Sequence, residues 1–167
     1  MSLKDTTRQE AILERLTRCV EKSPDIGAML LVGSFASGTA DVVSDLDLFL
    51  ITYEGRFEQA WKRRDELHVT GAIVHWDEQA GEPHSVAGHR WVTPELVLVE
   101  SVISAPRDGA RLAAPFKLVV GDTRLVENFP RRPPIDRSEM TDEATHPVDS
   151  AYEELKEAVR RHFRTHG

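Results

Sequence analysis

Asp45 and Asp47 stand two residues apart in Ser44-Asp45-Leu46-Asp47-Leu48-Phe49, within an otherwise apolar stretch. On a β-strand, positions i and i+2 face the same way, so the two carboxylates stand side by side. Like charges that close repel, and one pKa rises unless a cation sits between them. Hard divalent ions such as Mg2+ suit the pair, because they are commonly held by a couple of carboxylates together with substrate phosphates. Asp47 also interrupts an apolar run, where an unpaired carboxylate is costly. For an isolated Asp-x-Asp the plainer reading is preferred, with Asp45 capping the strand start and Asp47 in a salt bridge. Gly33-Ser34 upstream shifts that balance. Gly33 permits close backbone approach, and Ser34 offers a hydroxyl and an N–H. A helix opening near Ser34 points its free N–H groups toward the carboxylates, which makes a phosphate site.

Gly33-Ser34, then ten residues, then Asp45-Leu46-Asp47 resembles the signature of the nucleotidyltransferase superfamily with the polymerase-beta-like fold. The resemblance covers about residues 10 to 122, is specific over residues 31 to 52, and looks closest to the minimal and the antibiotic (aminoglycoside or lincosamide) nucleotidyltransferases. It implies two Mg2+ ions, with Mn2+ as an alternative, bridging Asp45 and Asp47 to the triphosphate of ATP or another nucleoside triphosphate. Gly33, Ser34 and Ser44 are the expected nucleotide-binding residues. The resemblance further implies a third carboxylate on a later strand, a metal ligand that also accepts the acceptor hydroxyl's proton. The sequence offers Glu100 and Asp77 for that role. Glu100 is the preferred candidate, an acid inside Leu96-Val97-Leu98-Val99-Glu100-Ser101-Val102-Ile103 that needs a cation or a partner. The plain alternative for Glu100 is an ion pair to an arginine, and for Asp77 the start of a turn. Many members of the family carry a basic residue in the Gly-Ser loop, where this chain has Ser37 and Thr39.

The implied activity is metal-dependent transfer of a nucleoside monophosphate to a hydroxyl, releasing pyrophosphate. The acceptor is expected to be a small molecule, such as a cationic aminoglycoside drawn to an acidic cleft, or a protein, since minimal relatives adenylylate a partner toxin. The rival expectation is a non-catalytic nucleotide-binding or antitoxin-like module of the same fold.

The elements that must position these residues follow from periodicity. Ile12, Leu13, Leu16, Cys19 and Val20 recur at helical spacing and predict an amphipathic helix over 6–22. Ala28 to Val32 reads as a buried strand, Leu46 to Thr52 as a second, and 57–67 as a helix. Val69 to Trp76 is strand-like, Asp77 to His89 a loop, Trp91 to Ile103 one long strand, and Phe116 to Val120 a short one. The expected class is α+β: a mixed sheet of about four to five strands with helices packed on one side, plus a C-terminal helix. Residues 1–127 form the nucleotidyltransferase domain in this reading. Residues 128–147, with Pro130, Pro133, Pro134 and Pro147, form an arm, and 148–167 the last helix. That helix carries Val148, Tyr152, Leu155, Val159 and Phe163 on one stripe, which must be buried on the main domain or on a partner. Antibiotic-modifying relatives usually have a larger helical C-terminal domain, so a homodimer is the expected way to close the site.

Composition limits the other classes. The 167 residues carry 29% charged and 40% hydrophobic side chains, an ordinary balance for a folded domain. A net charge of −7 disfavours a long nucleic-acid partner. The clusters Lys62-Arg63-Arg64 and Arg160-Arg161 are diluted by nearby acids and read as solvated helix faces. No apolar run reaches the ~20 residues a membrane-spanning helix needs. Cys19 is the single cysteine, and Met1 to Glu10 lack a secretory-signal pattern, so a cytoplasmic location is expected. The seven histidines show no metal-ligand spacing.

Overall fold

A computed structural model describes residues 2–78, 83–133 and 146–166. The first helix, α1 (Thr7–Lys22), buries Ile12, Leu16 and Val20, the stripe expected from their spacing. Then follow β1 (Ile26–Leu31), the one-turn helix α2 (Gly33–Ser37), β2 (Leu46–Thr52) and α3 (Phe57–Lys62), with a 3-10 turn over Arg64–Leu67. Next come β3 (Val74–Asp77), β4 (Val86–Val92), β5 (Leu98–Ser104), β6 (Leu112–Ala113), β7 (Lys117–Gly121), α4 (Thr123–Glu127) and β8 (Arg131–Arg132), and α5 (Pro147–His166) closes the order.

The main sheet is mixed and has six strands in the order β3-β4-β5-β2-β1-β7, with the pair β6-β8 beside it. β2 and β5 run parallel and every other neighbour in the main sheet is antiparallel. The sheet exceeds the expected four to five strands for an identifiable reason. Residues 91–103, read as one strand, are two strands joined by a tight reversal at Thr93-Pro94-Glu95-Leu96. Pro94 has no N–H to give to a ladder. Thr93 closes the turn through backbone bonds with Leu96 and Val97, and Leu96 takes the left-handed conformation at φ 61°. β4 accordingly begins at Val86, inside the stretch read as a loop, and pairs with β5 from Val86↔Ser104 to Val92↔Leu98.

Alternation along β2 sorts the two faces. Leu46, Leu48 and Leu50 point into the larger core with Ile12, Leu16, Phe57, Trp61 and Trp91, so α1 and α3 cover that face. Each such fully buried side chain contributes about 1.5–3 kcal/mol. Phe49 and Ile51 point the other way, into a smaller cluster with Leu112, Val126 and Phe129. That second cluster closes only one end of the face. The other end, where Asp47 shares the orientation of Phe49, is left for a cleft.

The C-terminal helix forms as expected, with its stripe residues Tyr152, Val159 and Phe163 half-buried and the Tyr152 hydroxyl donating to the Leu96 carbonyl, but its most buried positions are polar. Asp149 and Lys156 are its buried residues, whereas Leu155 is 49% exposed. Of the Pro-rich arm, residues 134–145 lie outside the described residues. Within 128–133, Phe129 is buried and Leu112 donates its N–H to the Pro130 carbonyl.

Candidate functional site

The cleft is built where β1 hands over to α2. Val32 donates its N–H to the Asp47 carbonyl at 3.0 Å, which holds the loop against β2. Gly33 follows at φ +62°, and a Cβ there would lie 2.2 Å from Asp47 Oδ2. Only glycine can bring the chain this close to the carboxylate in that conformation. The loop returning to β2 is fixed from α1. The buried Gln9 amide reaches the carbonyls of Asp41, Val42 and Ser44 at 3.1–3.2 Å, and Arg8 donates to the Val42 carbonyl at 2.7 Å. Ser44 is buried here, with its hydroxyl donating to Asp41 Oδ1 and accepting the Asp41 N–H. It lines the cleft wall from within that turn.

Asp47 lies opposite Glu100 in the parallel β2–β5 pair, and Glu100 lies opposite Arg90 on β4. This register brings Asp45, Asp47 and Glu100 together, with ligand oxygens all within 4.8 Å of one another. Asp77 is placed elsewhere. It pairs with His89 and Arg64, at 2.8 Å and 3.0–3.1 Å, on the opposite face of the sheet from the cleft. The arginine partner considered for Glu100 is also present, because Arg90 reaches Glu100 Oε1 at 2.9 Å. Arg90 is itself shared with Glu78 and Asp149. One arginine thus faces several acids, and Glu100 is not fully neutralised by it.

The electrostatics follow from crowding acids in a half-buried site. Burial lifts the Asp45 carboxyl to about 6, against the pull of the Lys156 ammonium. Burial together with a hydrogen bond shared with Asp47 lifts Glu100 to about 8. Asp47 is raised as well, first by burial, although its bond with Glu100 and the Lys156 and Arg90 charges oppose the shift. Without a cation the three carboxylates therefore retain a proton between Asp47 and Glu100. The donor set, all oxygen and short of positive charge, fits a hard divalent ion. A cation is already drawn to its edge: Lys156 Nζ sits 3.0 and 3.1 Å from the two Asp45 oxygens.

Lys156 comes from α5, and so does Arg160, whose Nε meets Asp41 Oδ2 at 2.8 Å. Both line a cleft of about 550 Å³ with Gly33, Ser34, Ser37, Thr39, Asp45 and Asp47. These two cations were not identifiable from sequence as site residues. Arg160 was read as part of a solvated face, and their distance of more than a hundred positions from Asp45 leaves no local signal. Arg90 was missed for a related reason, since its role depends on where the β4–β5 reversal falls.

Residues 13–80 match the family model described as nucleotidyltransferase domain. The match takes in Gly33, Ser34, Asp45 and Asp47 and stops before Glu100 and α5. No curated protein matches the chain. With the Gly-Ser and Asp-x-Asp signature set on this mixed sheet, the matched segment, which is less than half of the chain, is similar to a nucleotidyltransferase domain.

Proposed function

We propose that the protein moves a nucleoside monophosphate from ATP or another nucleoside triphosphate to a hydroxyl of a small molecule or a protein, with release of pyrophosphate. The observation that carries this reading is the convergence of Asp45, Asp47 and Glu100, with ligand oxygens within 4.8 Å of one another, beside a cleft that Asp45 and Asp47 line together with Lys156 and Arg160. Asp45, Asp47 and Glu100 would hold Mg2+ or Mn2+, which when bound neutralises charge on the transferring phosphoryl group. Gly33 and Ser34 would position the terminal phosphates from the loop side. Lys156 and Arg160 would pair with them from α5, taking the part of the basic residue absent at Ser37 and Thr39. Glu100 is the base in this reading. Its raised pKa makes it a stronger proton acceptor once ionised, and a hydroxyl held beside it loses its proton as the bond to phosphorus forms.

Binding the acceptor leaves room for a second subunit. Tyr152, Val159 and Phe163 are only half-buried and Leu155 is exposed. This stripe is the surface through which we propose a homodimer would close the acceptor side. Transfer of label from alpha-labelled ATP to protein or added aminoglycoside, with Mg2+ or Mn2+, tests the activity.

One observation favours a second reading, a non-catalytic nucleotide-binding or antitoxin-like module. Lys156 holds both oxygens of Asp45, as a permanent substitute for a metal ion would. Nucleotide binding without label transfer, across varied acceptors and in the Lys156→Met variant as well, would decide for the module.

A further inference from the structure

A second group of ligating side chains lies on the sheet face away from the cleft. Asp65 belongs to the 3-10 turn after α3, His68 follows that turn, His75 and Asp77 sit on β3, and His89 sits on β4. Ligand atoms of Asp65, His75 and His89 lie within 4.8 Å of one another. His89 has no exposed side-chain surface, and its Nδ1 is 2.8 Å from Asp77 Oδ1. Asp77 is in turn gripped by both arms of Arg64. An ionised carboxylate accepts only, so Nδ1 carries the hydrogen and Nε2 presents its lone pair outward. That lone pair faces Asp65 Oδ1 at 3.9 Å and His68 Nε2 at 2.9 Å.

We propose that Asp65, His75 and His89, with His68 as a further donor, form a binding site for a Zn2+-class ion, distinct from the carboxylate cleft. The chemistry separates the two sites. Imidazole donors suit Zn2+, Co2+ and their neighbours, whereas the all-oxygen set of Asp45, Asp47 and Glu100 suits Mg2+. The Asp77–His89 hydrogen bond is the outer-shell arrangement that fixes a metal-ligating histidine's tautomer and ring orientation. A tetrahedral ion with bonds of about 2.0–2.1 Å sets its ligand atoms roughly 3.3 Å apart. The 3.9 Å between Asp65 and His89 is near that spacing already. Asp65 and His75 are exposed and able to swing inward, while buried His89 is the fixed point. An ion held here would tie the 3-10 turn to the β3–β4 pair, securing the strand at the edge of the sheet.

The test is calorimetric titration of the full chain with ZnCl2 in a non-chelating buffer, with Co2+ absorption as a second probe of geometry. One Zn2+ per chain and a rise in melting temperature with Zn2+ are expected. His75→Ala should weaken that binding at least about tenfold while leaving the zinc-free melting temperature unchanged, and Asp77→Asn should weaken it by about 10–100-fold. Asp47→Asn should keep it, which separates this site from the cleft. His166→Ala should also keep it, because His162 and His166 stack one turn apart on α5 and are the competing pair. The proposal is overturned by absence of Zn2+ binding, or by Zn2+ binding that His75→Ala leaves intact.

Discussion

Asp47 lies in a compromise between folding and binding. Its carboxylate stands beside Asp45 and Glu100 and has a raised pKa, so neutralising it removes repulsion from the free protein. Asp47→Asn should therefore melt at or above the parent temperature in a metal-free scan while losing Mg2+-dependent nucleotide affinity in calorimetry. Glu100→Gln should remove label transfer and spare much of the nucleotide affinity, because it takes away the proposed base and one proposed metal ligand and leaves the groups proposed to bind phosphate. Asp77→Asn should leave transfer nearly unchanged, since that residue faces away from the cleft.

The same glutamate gives a pH signature. Its pKa is raised from 4.5 to about 8 in the folded chain. A carboxyl raised by folding stabilises fully below its unfolded value and loses that contribution as pH rises through the folded one. The metal-free parent should thus lose stability relative to Glu100→Gln between about pH 4.5 and 8, by an amount on the order of a few kcal/mol at most. Melting curves of both proteins across that window check it, and parallel profiles would contradict the shared proton.

At the scale of elements, α5 is where sequence reading and structure part. Its apolar stripe of Val148, Tyr152, Leu155, Val159 and Phe163 predicted burial on the main domain or on a partner, because an amphipathic helix usually docks by its apolar side. The helix turns Asp149, Lys156 and Arg160 toward Arg90, Asp45 and Asp41, which offer it ion pairs, while of the stripe Tyr152 donates to the Leu96 carbonyl and Leu155 is exposed. Leu155→Asp should consequently change monomer stability little, since Leu155 is exposed. It should shift the sedimentation profile toward monomer if the stripe joins two subunits. Lys156→Met and Arg160→Met together should weaken nucleotide binding by tenfold or more, measured by calorimetry. The strands β1 and β2 were legible because continuous apolar runs bounded by Ser and Gly leave few alternatives. The β4–β5 reversal was not, since Val92 and Val97 flank it with strand-like residues and only Pro94 marks the break. The short elements α4, β6 and β8 carry too few residues for any periodicity.

For the molecule as a whole, the sheet works as a partition. One face is covered by α1 and α3 and holds the larger core together with the histidine cluster. The other is closed at one end by Leu112, Val126 and Phe129 and open at the other over the carboxylates. Asp45 and Asp47 were readable as a pair because a two-residue spacing on a strand dictates a shared face. Glu100 joined them through register, which sequence alone left open against Asp77. The division into 1–127, 128–147 and 148–167 remains our proposal for how the chain is organised, with α5 as a wall of the cleft. Among the described residues no helix is long and apolar enough to cross a membrane. The net charge of −7 sets a field in which the cations of α5 are local exceptions.

The most direct measurement is calorimetric titration of a nonhydrolysable ATP analogue into the full chain, with and without Mg2+, for the parent, Asp47→Asn and Asp77→Asn. Submillimolar binding is expected that requires Mg2+, is lost in Asp47→Asn and is kept in Asp77→Asn. Absence of binding at millimolar ligand, or equal binding by the parent and Asp47→Asn, would contradict it.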